Sequence, residues 1–316
     1  MLVRMLRTEN LSKSYDSKVA VHDLNLNIAA GEIYGFLGPN GAGKTTTIRL
    51  LLGLLKPTNG RIFLFDAPLT DDIIALKRRI GVVAEEPPPA GRMTAWELVQ
   101  FFADLNHVVH PGGRMEALFH ALELWDDRHV LAAAYSRGMR QKLSLIRALI
   151  HTPDLLILDE PVSGLDPFGI RQVRAVIEAH RAQGGAVLIS SHILSEVERS
   201  ANRIGILHHG HLLVEDSING IRARIGNTNV VHIELLAVPE SLPAQLQAIP
   251  EVQKIETRDT QLTVHLASGR DARPDIFQAV VAAGGVLVTM QMEEMSLEDA
   301  FVTITHQNVE QLAGAG

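Results

Sequence analysis

The sequence contains no cysteine, no long apolar run and no excess of basic residues. The absence of cysteine excludes disulfide bonds and thiolate chemistry, and it is typical of a cytosolic protein. The longest apolar run, IRLLLGLL at 48–55, is far shorter than the roughly 18 to 20 residues that a membrane-spanning helix needs. The first residues are polar where a secretory signal has an apolar core, so we expect neither secretion nor a membrane span.

The charge balance disfavours a nucleic-acid partner. The formal net charge is −7 and the sequence pI is about 6.0, whereas nucleic-acid-binding proteins usually carry a basic excess. Of the 316 residues, 46% are hydrophobic and 21% are charged, as in an ordinary globular protein. The length predicts one large domain and one smaller domain.

Apolar strands and amphipathic helices alternate through the first two thirds of the chain. Strands are predicted at EIYGFLG (32–38), DLLILDE (154–160), AVLIS (186–190) and RIGILHH (203–209), with helices between them, and residues 93–131 show helical periodicity. This order predicts an α/β fold with a mainly parallel sheet that is covered on both faces.

The character of the sequence changes at SINGIRARIGNT, residues 217–228. We therefore predict a domain over 1–216, a linker at 217–228 and a smaller domain over 229–316. The pattern of the smaller domain is strand, helix, strand, strand, helix, strand, with a last helix from 296. That order is the split βαβ arrangement of ferredoxin-like α+β domains.

A phosphate-binding motif, GPNGAGKTT, lies between a predicted strand and a predicted helix at 38–46. Its glycines allow backbone N–H groups to surround phosphate oxygens at the positive end of the helix. Lys44 is predicted to reach the β- and γ-phosphates, and Thr45 to offer its hydroxyl to Mg²⁺. The predicted nucleotide contacts are Gly38, Pro39, Asn40, Gly41, Ala42, Gly43, Lys44, Thr45 and Thr46.

Two acidic residues end the buried strand LLILDE. Asp159 stands where ligands of open α/β sheets bind, and it is predicted to hold Mg²⁺. Glu160 is predicted to accept a proton from the attacking water as the general base. A helix cap or a solvated loop explains such a pair equally well without the phosphate motif. His192 follows another strand at the same edge, where it is predicted to contact the γ-phosphate, although an isolated histidine at a strand end is more often structural.

These motifs, in this order and spacing, resemble the nucleotide-binding subunits of ABC transporters over about residues 3–216. The resemblance implies a P-loop NTPase core with an antiparallel β part and an inserted helical subdomain at 87–150. It also implies that Tyr15, in SKSYDS, stacks on adenine. IGVVAEEP at 80–87 corresponds to the Q-loop, whose glutamine is replaced here by Glu85. An acid at this position implies a further Mg²⁺ ligand.

The resemblance also implies a half-site for the ATP of a second subunit. YSRGMRQK at 135–142 corresponds to the family signature, in which Ser136 and Gly138 are kept and Arg137 replaces a glycine. Ser136 is equally a good helix N-cap. Whether Arg137 points toward phosphate or away from it stays open. VSGLD at 162–166 resembles the D-loop, with Asp166 facing the partner subunit.

The C-terminal segment MSLEDAFVTIT, 295–305, resembles the extension of ATPase subunits of bacterial drug exporters and related ABC-2-type exporters. The resemblance implies an ATPase that uses ATP and Mg²⁺, pairs with a second nucleotide-binding subunit and drives a separate transmembrane permease, with export as the direction. It places the chain on the cytoplasmic face of the membrane as a peripheral protein. Two alternatives remain, a P-loop kinase and a soluble ABC ATPase that acts on a non-transport partner.

Overall fold

The computed structural model describes residues 4–16, 18–69, 74–86, 91–225, 230–267 and 271–293, together with residues 298, 301, 302 and 304. The chain divides into two compact units. The first comprises Met1–Ile218 with Ile304–Gly316, and the second comprises Asn219–Thr303. None of the helices in these described ranges is both long and apolar enough to cross a bilayer.

The first unit contains strands and helices in the order that the sequence pattern predicts. Its strands are β1 (Arg4–Tyr15), β2 (Lys18–Leu24), β3 (Asn27–Ala29), β4 (Ile33–Leu37), β5 (Asn59–Leu64), β6 (Ala67–Pro68), β7 (Ile80–Val83), β8 (Leu155–Asp159), β9 (Ala186–Ser191), β10 (Arg203–His208) and β11 (His211–Ser217). Its helices are α1 (Lys44–Leu51), α2 (Ile74–Lys77), α3 (Ala95–Leu105), α4 (Gly112–Ala121), α5 (Arg137–Leu149), α6 (Pro167–Ala182) and α7 (Leu194–Glu198), with a short 3₁₀ helix at Ala132–Ala134.

A mainly parallel sheet of order β11-β10-β4-β9-β8-β7 forms the centre of this unit. The neighbours from β10 to β7 are parallel, and β11 joins β10 as an antiparallel hairpin. Every residue of β4, β8 and β9 is buried, because parallel strands at the centre of a sheet are covered on both faces. The carboxyl ends of these three strands, at Leu37, Asp159 and Ser191, therefore meet at one edge. The predicted mainly parallel α/β sheet is confirmed.

An antiparallel sheet of order β2-β1-β5-β6, with β3 also paired to β1, lies beside the parallel sheet. One buried hydrophobic cluster contains Leu6 of β1, Phe36 of β4 and Leu51 of α1. Because these side chains come from both sheets and from α1, the helix is fixed between the two layers. The first residue of α1, Lys44, is fixed with it.

Helices α3, α4 and α5 form the helical part of the unit. The side chain of Thr94 accepts a hydrogen bond from the Glu97 amide, and Glu97 accepts one from the Thr94 amide, which together start α3 as a capping box. Val99 is fully buried, and Trp96 packs on the same cluster, as the helical periodicity predicts. Leu105, by contrast, is exposed at the end of α3. Of the predicted segment 87–150, residues 87–90 lie outside the described residues.

From β12 onward the second unit has the strand and helix order that the sequence predicts, while residues predicted as part of a linker form a helix. Helix α8 (Ile218–Ile225) is followed by β12 (Val230–Leu235), α9 (Leu242–Gln247), β13 (Val252–Arg258), β14 (Gln261–Leu266), α10 (Arg273–Ala282) and β15 (Leu287–Met292). The sheet order is β13-β14-β12-β15 with antiparallel neighbours throughout, which is the ferredoxin-like arrangement. Its core includes Ile233, Val264 and Ile276. Most of the last helix, predicted from 296, lies outside the described residues.

Candidate nucleotide site

The phosphate-binding motif forms the loop between the end of β4 and the start of α1. Gly41 and Gly43 have φ angles of 80° and 109°, in the region that side-chain-bearing residues rarely adopt. A Cβ atom on Gly43 would lie 2.4 Å from the backbone oxygen of Ala20 in β2. Glycine is therefore required at residue 43 both for its conformation and for close packing.

The β10–β11 hairpin supports the same loop from its other side. The amide of Gly210, in the hairpin turn, donates to the oxygen of Ala42 at 2.9 Å, and the amide of His22 in β2 donates to the oxygen of Gly210 at 2.8 Å. A Cβ atom on Gly38 would lie 2.4 Å from the oxygen of Leu207. Backbone contacts thus fix the phosphate loop to two neighbouring strands.

Lys44 is buried at the base of this loop, with 7% of its surface exposed. Its Nζ donates to the backbone oxygens of Gly38 at 2.6 Å and Pro39 at 3.3 Å. Burial lowers the pKa of Lys44, and the nearby Glu160 and Asp159 carboxylates oppose that shift. The ammonium group is therefore held by the loop that the motif predicts to bind phosphate.

Asp159 and Glu160 lie at the carboxyl edge of the parallel sheet, as predicted, and both are only 5% exposed. The Thr45 hydroxyl donates to Asp159 Oδ2 at 3.3 Å. The hydroxyl of Ser190, in the adjacent strand β9, donates to Asp159 Oδ1. The Glu160 amide donates to the same Ser190 hydroxyl at 3.3 Å. Ser190, to which the sequence pattern assigned no role, thus contacts both acidic residues.

His192 contacts Glu160, with 2.8 Å between His192 Nδ1 and Glu160 Oε1. The other carboxylate oxygen, Glu160 Oε2, is buried and accepts no hydrogen bond from the residues that the structure describes. Glu160 has a φ of 49°, a strained value for a side-chain-bearing residue. One carboxylate oxygen is thus fixed by His192, and the other has capacity for a further donor.

Lys44, Asp159 and Glu160 line one open cleft. The predicted site residues Gly38, Ala42 and His192 are not among the residues that line it. Tyr15, 45% exposed, lies in its wall together with Glu85. The lining residues are Tyr15, Lys18, Val19, Ala20, Pro39, Asn40, Gly41, Gly43, Lys44, Thr45, Thr46, Glu85, Asp159, Glu160 and His209. The cleft thus brings together an aromatic side chain, two lysines and three acids.

Comparison with known proteins gives the same assignment. The family described as ABC transporter matches residues 21–163, and the C-terminal domain of DrrA1-3-like ATP-binding proteins matches residues 217–305. The bacitracin transport ATP-binding protein BcrA of Bacillus licheniformis is 36% identical over 302 residues, which cover 95% of this chain and 97% of the relative. The chain belongs to the ATP-binding subunits of ABC transporters. Its resemblance to this family is confirmed, and as a member the subunit binds nucleotide and is an ATPase.

Two further comparisons agree with this family. The daunorubicin/doxorubicin resistance ATP-binding protein DrrA of Streptomyces peucetius is 33% identical, over 87% of the ATP-binding subunit and 80% of that relative. A solved structure of an ATP-binding subunit of an ABC transporter superposes with a TM-score of 0.67 and 29% identity, over 70% of this chain and 93% of that one. The fold predicted from the motif order is therefore confirmed.

The signature residues of the ATP-binding subunit are not among those that line the cleft. Ser136 caps α5 and accepts a hydrogen bond from the Met139 amide at 3.2 Å. Asp166 caps α6 and accepts one from the Gly169 amide at 2.7 Å. Gly138 lies close to the turn between β8 and α6. The structure therefore brings Lys44, Asp159 and their neighbours together in one cleft, and Ser136, Gly138 and Asp166 do not line it.

Lys18, Val19, Ala20 and His209 line the cleft of the ATP-binding subunit without having been predicted. Tyr15 pairs with Lys18 in the β1–β2 hairpin. Because Tyr15 was predicted to contact the nucleotide, the residues next to it in the hairpin could have been predicted as cleft residues too. His209 occupies the turn between β10 and β11, with a φ of 46° beside Gly210 at 81°. The sequence predicts a hairpin turn at Gly210, next to His209. The proximity of His209 to the phosphate loop, however, depends on tertiary packing.

The oxygen donors of the cleft suit a hard divalent cation. The Thr45 hydroxyl and the Asp159 carboxylate lie within 3.3 Å of each other. Mg²⁺ at nucleotide sites commonly takes only one or two protein oxygens, and phosphate oxygens and water complete its shell. The described residues contain no group of three or more His, Cys, Asp or Glu side chains able to hold a metal.

Proposed function

We propose that the subunit binds Mg-ATP in this cleft, pairs head to tail with a second ATP-binding subunit and powers export through a separate transmembrane permease. The convergence of Lys44, Asp159 and Glu160 on one cleft, with Ser136 and Asp166 outside it, carries the proposal. This arrangement supplies the phosphate-binding and hydrolytic groups of one site and leaves the signature available to another.

In this proposal the subunit binds ATP at both of its ends, the adenine and the phosphates. Adenine stacks on Tyr15, and the phosphates lie in the loop 38–46 with Lys44 on the β- and γ-phosphates. Thr45 and Asp159 would hold Mg²⁺, which would neutralise phosphate charge. Glu85 contributes a further oxygen from the Q-loop position. The acids of the cleft would repel the nucleotide by themselves, so Lys44 and the metal are needed to offset their charge.

Hydrolysis transfers the γ-phosphoryl group to water. Glu160 accepts a proton from the attacking water as the new O–P bond forms, and the bond to the β-phosphate oxygen breaks to release ADP. His192 keeps the Glu160 carboxylate oriented through its 2.8 Å contact. We propose that it also contacts the γ-phosphate. The acceptor is water, whereas a kinase needs another molecule as the phosphoryl acceptor.

The second half of each site comes from the partner subunit. The start of α5, with Ser136 as its cap and Gly138 in its first turn, presents amide donors of the kind that bind anions. We propose that it closes over the ATP of the second subunit, with Asp166 at the same interface. ATP then stabilises the closed dimer because both subunits contact it, and hydrolysis removes that contact.

Export and attachment to the membrane are proposed because the relatives are named for transport and drug resistance. The match covers 97% of the protein named for bacitracin transport and 80% of the one named for daunorubicin/doxorubicin resistance, and residues 217–305 of this chain match the C-terminal domain of DrrA1-3-like ATP-binding proteins. We propose that the subunit lies on the cytoplasmic face of the membrane, bound to its permease through the helical part at 87–150. Residues 1–216 form the ATPase domain and 229–316 an accessory domain, joined through 217–228.

Glu160→Gln tests the proposal. The uncharged amide cannot act as the base, so phosphate release from labelled ATP should fall about 100- to 10,000-fold, while ATP-dependent dimers accumulate in light scattering. Glu178→Gln, on the exposed side of α6, is the matched control and should change neither. Loss of ATP-dependent dimerisation in Glu160→Gln contradicts the two-subunit site. Absence of acceptor-free phosphate release by the unmodified protein contradicts the ATPase assignment.

A further inference from the structure

Arg137 reaches from the start of α5 to the turn that connects β8 and α6. Its Nη2 donates to Ser163 Oγ at 2.8 Å. A Cβ atom on Gly164 would lie 2.8 Å from Arg137 Cδ and 3.1 Å from Arg137 Cγ, so the aliphatic part of Arg137 lies directly against that glycine. The orientation that the sequence left open is therefore defined: the guanidinium is directed to the D-loop of its own chain.

Two neighbours of Arg137 on α5 contact the same turn. The buried Gln141 donates from Nε2 to the backbone oxygen of Glu160 at 3.2 Å. A Cβ atom on Gly138 would lie 3.2 Å from the oxygen of Gly164. Residues 137 and 141 are one helical turn apart and share a face, so the start of α5 contacts the connection at Glu160 and again at Ser163 and Gly164.

The connection also has internal hydrogen bonds that link these contacts to the predicted base. The Ser163 amide donates to the oxygen of Glu160 at 3.1 Å, and the same oxygen accepts from Gln141. Displacement of Ser163 therefore changes the backbone at Glu160. Because Glu160 has a strained φ of 49°, its orientation depends on such surrounding contacts.

Local helix electrostatics do not favour arginine at this position. A cation in the first turn of a helix opposes the helix dipole. Within the ranges that the structure describes, Arg137 makes no ion pair that would offset this cost, and its polar partner is the neutral Ser163 hydroxyl. The N–H donors of the arginine guanidinium can bind the Ser163 hydroxyl while its long apolar stem packs on Gly164.

We propose that Arg137 is a positioning residue for hydrolysis, which holds the Glu160–Asp166 turn against α5. The inference rests on the proposed function, because it takes Glu160 as the base and Ser136 as a contact to the second ATP. Ser136 precedes Arg137 directly, so closure of the signature on one nucleotide is transmitted to the base that acts on the other. Arg137 thereby couples the two sites of the dimer.

Four variants of the full-length protein test this role. Arg137→Leu keeps an apolar stem but removes the hydrogen-bond donors, whereas Arg137→Lys keeps a charge and a donor. Ser163→Ala removes the hydrogen-bond acceptor. The fourth variant combines Arg137→Leu with Ser163→Ala. Arg171→Leu, an equally exposed arginine on α6, controls for the loss of one charge. Because Arg137 is exposed, all variants should keep the urea midpoint of the unmodified protein.

Arg137→Leu should lower kcat about three- to tenfold, the effect of one lost hydrogen bond, and change the KM for ATP less than about twofold. The Hill coefficient for ATP should fall toward one. Ser163→Ala should show the same changes, the double variant no further loss, and Arg137→Lys a smaller loss than Arg137→Leu.

Three results would overturn the coupling role of Arg137: unchanged kcat and Hill coefficient, losses that add in the double variant, or a raised KM at unchanged kcat. The last would assign Arg137 to direct contact with the partner's nucleotide. Each variant is also measured with Glu160→Gln for ATP-dependent dimerisation, which should be retained. If Glu160→Gln alone does not dimerise, or the unmodified protein releases no phosphate, the proposed function fails and this inference with it.

Discussion

Replacement of Ser190 by alanine should weaken both the fold and the magnesium dependence of the ATPase. Ser190 is fully buried in the central strand β9, where its hydroxyl donates to Asp159 and accepts from the Glu160 amide. The Glu160 amide also donates to the Ser190 backbone oxygen at 3.2 Å, and the substitution leaves that bond intact. The main loss is therefore the hydrogen bond to the buried Asp159 carboxylate.

The size of the effect follows from the charge of the acceptor. A hydrogen bond to a charged group contributes about 1.5–3 kcal/mol, so the free energy of unfolding should fall by about 2 kcal/mol. Ser191→Ala is the matched control, because Ser191 is also buried in β9 but bonds the neutral backbone of Ile193, with the Ile193 amide donating at 3.0 Å. Loss of that neutral bond should cost about 1 kcal/mol or less.

Urea unfolding and ATPase titrations with Mg²⁺ measure the two parts of this prediction. A group that orients a metal ligand commonly affects metal affinity about 10- to 100-fold, so the Mg²⁺ concentration for half-maximal hydrolysis should rise by that order in Ser190→Ala. It should stay unchanged in Ser191→Ala. Equal losses of stability in the two variants, with equal Mg²⁺ requirements, would refute the role of Ser190 in orienting Asp159.

Two further substitutions address the nucleotide itself. Tyr15→Ala should raise the dissociation constant for ATP about 5- to 150-fold if stacking contributes about 1–3 kcal/mol, and Tyr15→Phe should stay within about twofold, as measured by equilibrium binding. Glu85→Gln removes a negative charge near Lys44 and should tighten binding of metal-free ATP about two- to tenfold, less so at high salt. Weaker binding by Glu85→Gln would contradict simple charge repulsion, and an unchanged constant in Tyr15→Ala would exclude stacking.

The sequence could predict the position of the acids because strand direction decides it. Once β4, β8 and β9 are recognised as buried parallel strands, their carboxyl ends must share one edge, and the residues that follow each strand must meet there. The phosphate loop and Asp159 are separated by more than a hundred residues, yet both positions follow from this rule. The strand order of the second unit was predictable for a similar reason, since the split βαβ pattern has few compact solutions.

The direction of individual side chains was not predictable in this way. Ser190 and Ser191 are neighbours of the same type, and only the register of β9 against β8 decides which one meets Asp159. Arg137 has several rotatable bonds, and its contact depends on the turn at Ser163 coming close to α5. His209 is part of an ordinary hairpin turn until packing brings that turn to the phosphate loop. Such contacts arise from tertiary packing between segments far apart in the chain.

The contacts of β2 with the phosphate loop fix the distance between the two ends of the cleft. Ala20 of β2 touches Gly43, and His22 of β2 is bonded to Gly210, whose amide is bonded to Ala42. The strand that follows Tyr15 is thus locked to the loop that carries Lys44. If the base lies on Tyr15 and the last phosphate on Lys44, as we propose, this fixed spacing would select a ligand by the span between its base and its last phosphate as well as by the base.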